Sequence, residues 1–268
     1  MITRSLIERI FSAASIERWN DHPRPMQFSE LAKQAHKMVI AYVVARWEED
    51  EGRTVDWAGL IEGGLFELLH RVILTDIKPP VFHRMMDEQG EQVNGWVFEQ
   101  LRSNLDVLPG GLWDRFQAYF RDNSYMEKEK KILKGAHYMA TQWEFDLIYN
   151  WGRTLTGIER TRREIEAQIE EHRDLPAIAR MLDLRKKQER DEGIYGFVDL
   201  VGQLRFQKRW AQTPRIPQTS VLGHLLFVAL LSYLVSIEAG LDVERQINNY
   251  LCGLFHDLPE VMTRDIIS

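Results

Sequence analysis

A single cysteine, Cys252, stands in 268 residues, so no internal disulfide can staple the fold. Long apolar runs are missing as well. The longest, residues 225–235, is broken by Ser232 and falls far short of the roughly 20 apolar residues that a membrane span needs. A basic excess is absent: 34 Lys and Arg stand against 40 Asp and Glu, a net charge of −6, which argues against stable binding to DNA or RNA. The N-terminus lacks an apolar stretch with a small-residue cleavage site, so the expected location is cytoplasmic. Also missing are the G-x-x-x-x-G-K-[ST] and G-x-G-x-x-G phosphate loops and the G-x-S-x-G elbow of serine nucleophiles. Cys252 lies in an apolar stretch and is expected to be a buried structural thiol.

Helical periodicity fills the space these absences leave. Leu31, Ala35, Met38, Val39 and Tyr42 recur at three- and four-residue steps, as do Leu222, Leu225, Leu226, Ala229 and Leu230. Clean polar–apolar alternation is hard to find, and the prolines fall at joints between helical stretches. The fold class is therefore all-α. Residues 159–192 are dense in charge with sparse apolar positions such as Ile165, Ile169, Ile178 and Leu182, which predicts a solvent-facing helical connector. Trp143, Phe145, Tyr138 and Tyr149 lie at helical spacings and read as core; His22 and His83 read as exposed loop histidines.

The most informative feature is an internal repeat. ERWNDHPRP surrounds Arg18-Trp19, and KRWAQTPRIP surrounds Arg209-Trp210. Each is followed by a helical stretch with a histidine, read as His36 and His224, and then by a helix ending in LLHR at His70 or LFHD at His256. LTDIKPPV and MTRDIIS follow, aligning Asp76 with Asp265. Four landmarks in one order point to duplication.

In the second copy, His224, His256 and Asp257 offer the nitrogen and oxygen donors that borderline divalent cations prefer. Adjacent side chains on a regular helix point about 100° apart, so His256 and Asp257 can share an ion only near a helix end or in a crevice. Pro259 fits such an end. Glu260 and Asp265 add carboxylates able to orient a water or move a proton.

The pattern H-x31-H-D-L-P-E-V-x-T-x-D, preceded by Arg209-Trp210, resembles the motif of HD-domain phosphohydrolases, in particular the branch of bacterial 5′-deoxynucleotidases. The resemblance implies a helical fold and hydrolysis of a nucleotide or related phosphomonoester with a divalent cation (Mn, Co, Zn or Mg). It implies His224, His256 and Asp257 as metal ligands, and Glu260 and Asp265 as catalytic carboxylates. Arg209 would engage the phosphate and Trp210 would flank the nucleoside. It also implies a fourth ligand, an aspartate on a later helix, which the sequence to Ser268 does not contain, so a fragment is expected. The first copy is a degenerate counterpart: Arg18, Trp19, His36, His70 and Asp76 align, Arg71 replaces the metal-binding aspartate, and His137 falls where the fourth ligand would be.

The expected organisation is a degenerate HD-like domain over residues 1–158, a charged helical connector over 159–195, and the N-terminal part of a second HD domain over 196–268. The partners expected are a nucleotide or other phosphomonoester and possible homo-oligomers, with no membrane and no stable nucleic-acid complex. The competing expectation is a nucleotide-sensing or interaction module that has lost turnover.

Overall fold

The computed structural model describes residues 1–75, 77–186, 193–209 and 216–263. The elements run α1 (Arg4–Ser12), β1 (Glu17–Arg18), β2 (Phe28–Ser29), α2 (Glu30–Asp50), α3 (Trp57–Leu74), α4 (Pro79–Leu105), α5 (Leu112–Arg121), α6 (Glu127–Gly152), α7 (Ile158–Glu170), α8 (Pro176–Lys186), α9 (Gly193–Gln203), a 3-10 turn (Leu204–Phe206), α10 (Val221–Glu238), α11 (Val243–Phe255) and α12 (Glu260–Thr263). The fold is all-α apart from the two-residue ribbon β1–β2.

Short polar residues start the helices by accepting orphan N–H groups. Ser29 caps α2 through Ala32 N–H, and Ser220 caps α10 through Gly223 N–H. Asp56 caps α3 through Gly59, and Asp242 caps α11 through Arg245. Prolines open α4 and α8, where a missing N–H costs nothing.

Helices α2 and α10 lie at the centre. Helix α2 packs on α6 and on α10, while α10 packs most extensively on α11. One continuous apolar core runs from Leu6 through α2, α3, α6 and α10 to Leu254. Helix α10 is apolar enough to cross a membrane by length and composition, yet 61% of it is buried inside this core. Polar ties reinforce the join. Arg205, 2% exposed, donates to Glu144 (2.6 Å) and lies 3.2 Å from His36 Nδ1. Tyr233 donates to Glu62 (3.0 Å), which Arg115 also grips with two bonds.

Several expectations are corrected. The connector does not simply face solvent: Ile165, Ile169, Ile178 and Leu182 are buried, because α7 packs on α6 and α8 on α2 and α6. Charge-rich helices can still bury one apolar stripe. Cys252 is exposed, not buried, because it lies in the open groove between α10 and α11. Of the four aromatics read as core, Phe145 is buried and Tyr138, Trp143 and Tyr149 are half-buried. His83 is exposed but sits on α4, not in a loop.

Candidate metal centre

His224 sits on the first turn of α10, just past the Ser220 cap. His256 is the C-terminal cap of α11, and residues 256–259 form a turn before α12. At this helix end His256 and Asp257 both come within reach of His224. The three offer ligand atoms within 4.8 Å of one another. Among the described residues, this is the one group of three or more His, Cys, Asp or Glu with such geometry.

The electrostatics of the group favour a cation. His256 Nδ1 lies 2.7 Å from the Gly253 carbonyl, which can only accept, so Nδ1 carries a proton and the neutral ring offers Nε2 as a ligand. Nε2 faces Asp257 Oδ2 at 3.1 Å, and His224 Nε2 stands 3.6 Å from the same oxygen. Asp257 Oδ2 is buried and accepts no hydrogen bond. A buried carboxylate oxygen without a bond is costly. A divalent ion between these donors removes that cost, and the donor chemistry suits one.

The neighbouring groups are arranged around Asp257. Arg209 N–H donates to the Thr219 carbonyl (2.8 Å), which pins Arg209 beside the start of α10. Its guanidinium lies 3.5 Å from Asp257 Oδ2 and 3.0 Å from Glu260 Oε1. Gln207 donates to the Glu260 carbonyl at 3.0 Å, fixing the start of α12. Arg209 and Glu260 therefore lie beside the candidate group. Trp210, Asp265 and Asp76 lie outside the described residues.

The first half repeats the frame with a different register from the one expected. Glu30 N–H donates to Ile16 O, as Val221 N–H donates to Gln207 O; Glu17 pairs with Ser29, as Lys208 pairs with Ser220. Both serines then cap the helix that follows. With the serines aligned, the counterpart of His224 is Lys33, and His36 corresponds to Phe227. The assignment of His36 is thereby corrected. Three residues further along the helix, its ring turns to another face and is enclosed by Val198, Arg205 and Trp143. Aligning the caps Asp56 and Asp242 pairs His70 with His256 and Arg71 with Asp257 by position along α3 and α11.

The first-half histidines serve packing and polar networks. His36 is fully buried; burial foremost, then Arg205, lowers its pKa to about 3. His70 lies 3.0 Å from Asn94 Oδ1 and stacks on Phe120, and burial lowers its pKa too. His137 contacts Lys33, and Arg18 and Trp19 both donate to Glu144, at 2.9 and 2.8 Å. Lys33 was missed because a lysine carries no metal-ligand signal. Spacing would have found it: Lys33 stands as far beyond Arg18 as His224 stands beyond Arg209.

Residues 201–268 match the family model of the HD domain. The matched segment contains α10, α11 and every described member of the metal-like group. The C-terminal part of the chain is thus similar to HD domains, a superfamily of metal-dependent phosphohydrolases. Comparison with curated proteins returns no match.

Proposed function

We propose that this protein hydrolyses a phosphomonoester, a nucleoside monophosphate or a related compound, at a divalent cation held by His224, His256 and Asp257. The observation that carries the reading is the buried Asp257 Oδ2, without a hydrogen bond and reached by His256 Nε2 at 3.1 Å and His224 Nε2 at 3.6 Å. Two imidazoles and a carboxylate that converge in this way are suited to hold a divalent cation, which would complete the partial neutralisation that Arg209 gives at 3.5 Å.

When bound, a divalent cation supplies Lewis acidity toward a phosphate oxygen and toward water. The chain's own residues do the rest. Gly253 orients the His256 ring from behind, the usual means by which a backbone carbonyl fixes a ligating imidazole. Arg209 presents a planar, permanently charged donor head beside the site, suited to a phosphate group. Glu260, held by Arg209 at 3.0 Å, is the described carboxylate placed to accept a proton from water. Arg209 leaves this carboxylate for the incoming phosphate, which frees Glu260 as a base. Trp210 and Asp265 complete the proposal, the first beside the nucleoside and the second as a further acid or base.

We read the matching caps and ribbon bonds of the two halves as a duplicated unit whose first copy has lost its ligand set. That loss favours a second reading, in which the protein senses nucleotides without turnover: Lys33 and Arg71 stand where two ligands would be. Phosphate release from a panel of nucleoside monophosphates, with Mn²⁺, Co²⁺, Zn²⁺ or Mg²⁺, separates the two. Turnover that disappears in Asp257→Ala supports the hydrolase. Saturable nucleotide binding with no release under any metal supports the sensor, and turnover unchanged in Asp257→Ala sinks the proposed centre.

A further inference from the structure

Residues 204–209 form a strap that starts against the first half and ends beside the candidate metal centre. Arg205 is clasped by Glu144 and His36 at one end, and Arg209 reaches Asp257 and Glu260 at the other. Gln207 lies midway. Its backbone is fixed to the start of α10: its carbonyl accepts from Val221 N–H at 2.9 Å, and Lys208 beside it pairs with Ser220. Its side chain crosses to α12 and donates through Nε2 to the Glu260 carbonyl at 3.0 Å. That carbonyl can only accept, so the nitrogen of the amide faces it. Gln207 therefore ties the helix that carries His224 to the turn that carries Asp257 and Glu260.

Packing alone does not account for an amide at this position. Gln207 Oε1 is buried and accepts no hydrogen bond, which costs stability. An apolar side chain of the same length would escape that cost. The first half supplies the comparison. The residue whose carbonyl accepts from Glu30 N–H, as that of Gln207 accepts from Val221, is Ile16, an apolar residue packed against the core. There α3 continues as helix past His70 to Leu74, whereas α11 ends at Phe255 and the chain turns before α12. The amide stands in the half that has a carboxylate-bearing turn to hold.

We propose that Gln207 is a positioning residue for Glu260, holding the start of α12 in place while Arg209 leaves the Glu260 carboxylate for the phosphate. This rests on the hydrolytic reading given above. The Arg209 contact is made to the carboxylate and is exchanged when the phosphate arrives. The Gln207 contact is made to the main chain at the root of the same side chain. Glu260 thus keeps its place at the moment its carboxylate is released to act on water.

The test compares Gln207→Met, equal in length but without a donor, with the wild-type chain. Hydrogen exchange of the amides of residues 260–263, measured in EDTA, needs no turnover and should quicken in the variant. Under a metal that supports turnover, kcat should fall about tenfold or more with KM held within about twofold, since Arg209 and the three ligands remain. In a Glu260→Gln background the same substitution should leave the residual kcat nearly unchanged, because no base is left to position. A merely structural role predicts equal losses in both backgrounds. Exchange unchanged by Gln207→Met overturns the proposal, and so does a kcat loss that persists in full in Glu260→Gln. A wild-type chain without turnover under any metal overturns the hydrolase reading itself, and the catalytic purpose of this bond falls with it.

Discussion

His256 donates through Nδ1 to the Gly253 carbonyl, and its other nitrogen meets Asp257 Oδ2 at 3.1 Å. Replacing Asp257 by asparagine removes the negative charge that Arg209 faces at 3.5 Å and the imidazoles face at 3.1 and 3.6 Å. The new amide can hydrogen-bond the same neighbours, so the metal-free protein should change in stability by no more than about 1 kcal/mol. Metal affinity should fall by more than the about 10–100-fold that loss of a ligand's hydrogen-bond partner costs. Thermal denaturation in EDTA and metal titration read the two effects separately, and metal affinity unchanged in the variant contradicts the proposed centre. His224, His256, Asp257 and Glu260 were legible in the sequence because their residue types and spacing are restrictive. Lys33 was not, since its meaning depends on the Ser29 cap and the ribbon bonds before it. The burial of His36 was equally hidden, because the groups enclosing it, Val198 and Arg205, come from far along the chain.

At the level of helices, the α10–α11 crossing sets the distance between His224 and His256. Gly253 permits the close approach: a Cβ there would stand 2.7 Å from the Ala229 Cα and 2.9 Å from its nitrogen. Backbone cannot yield as a flexible side chain does, so Gly253→Ala should cost about 1–3 kcal/mol by overpacking. It should also weaken metal binding, because the same residue's carbonyl orients His256. Urea unfolding and metal titration on one variant test both, and an unaltered metal affinity would separate the crossing from the centre. Ser220→Ala should cost about 1 kcal/mol through loss of the Gly223 cap, and Ser29→Ala should cost about the same at α2. The α2 and α10 helices were readable from periodicity. The buried stripe of α7 and α8 was not, since four isoleucines and leucines in a charged stretch do not reveal that α2 and α6 lie beneath them.

Over the whole molecule, buried histidines make stability depend on pH. His36 has a pKa of about 3 against an ordinary 6.5, and His70 and His137 are lowered in the same sense. As pH falls below 6.5 the unfolded chain takes up protons that the folded chain refuses, so stability falls. The slope for one such group approaches about 1.4 kcal/mol per pH unit. The carboxylates Glu30, Glu67 and Glu144, all lowered, add to the loss only below their ordinary 4.5. Between 6.5 and 4.5 the carboxylates are silent and urea midpoints should drop steadily; Lys33, lowered by burial, adds to the same slope, so the histidine share is read as the flattening produced by His36→Phe. Addition of Mn²⁺ at about 100 times its Kd should raise stability by about 2.7 kcal/mol, reversed by EDTA; a melting curve indifferent to both would exclude the centre.

The core that joins α2 to α10, with Arg205 clasped between Glu144 and His36, leaves neither half able to melt alone. Whatever grips one end of the molecule therefore slows the loosening of the other, with no change of shape in between. A metal seated by α11 should protect the amide protons of α6, which packs on α2 and α3, from exchange with solvent as fully as it protects those of α11 itself.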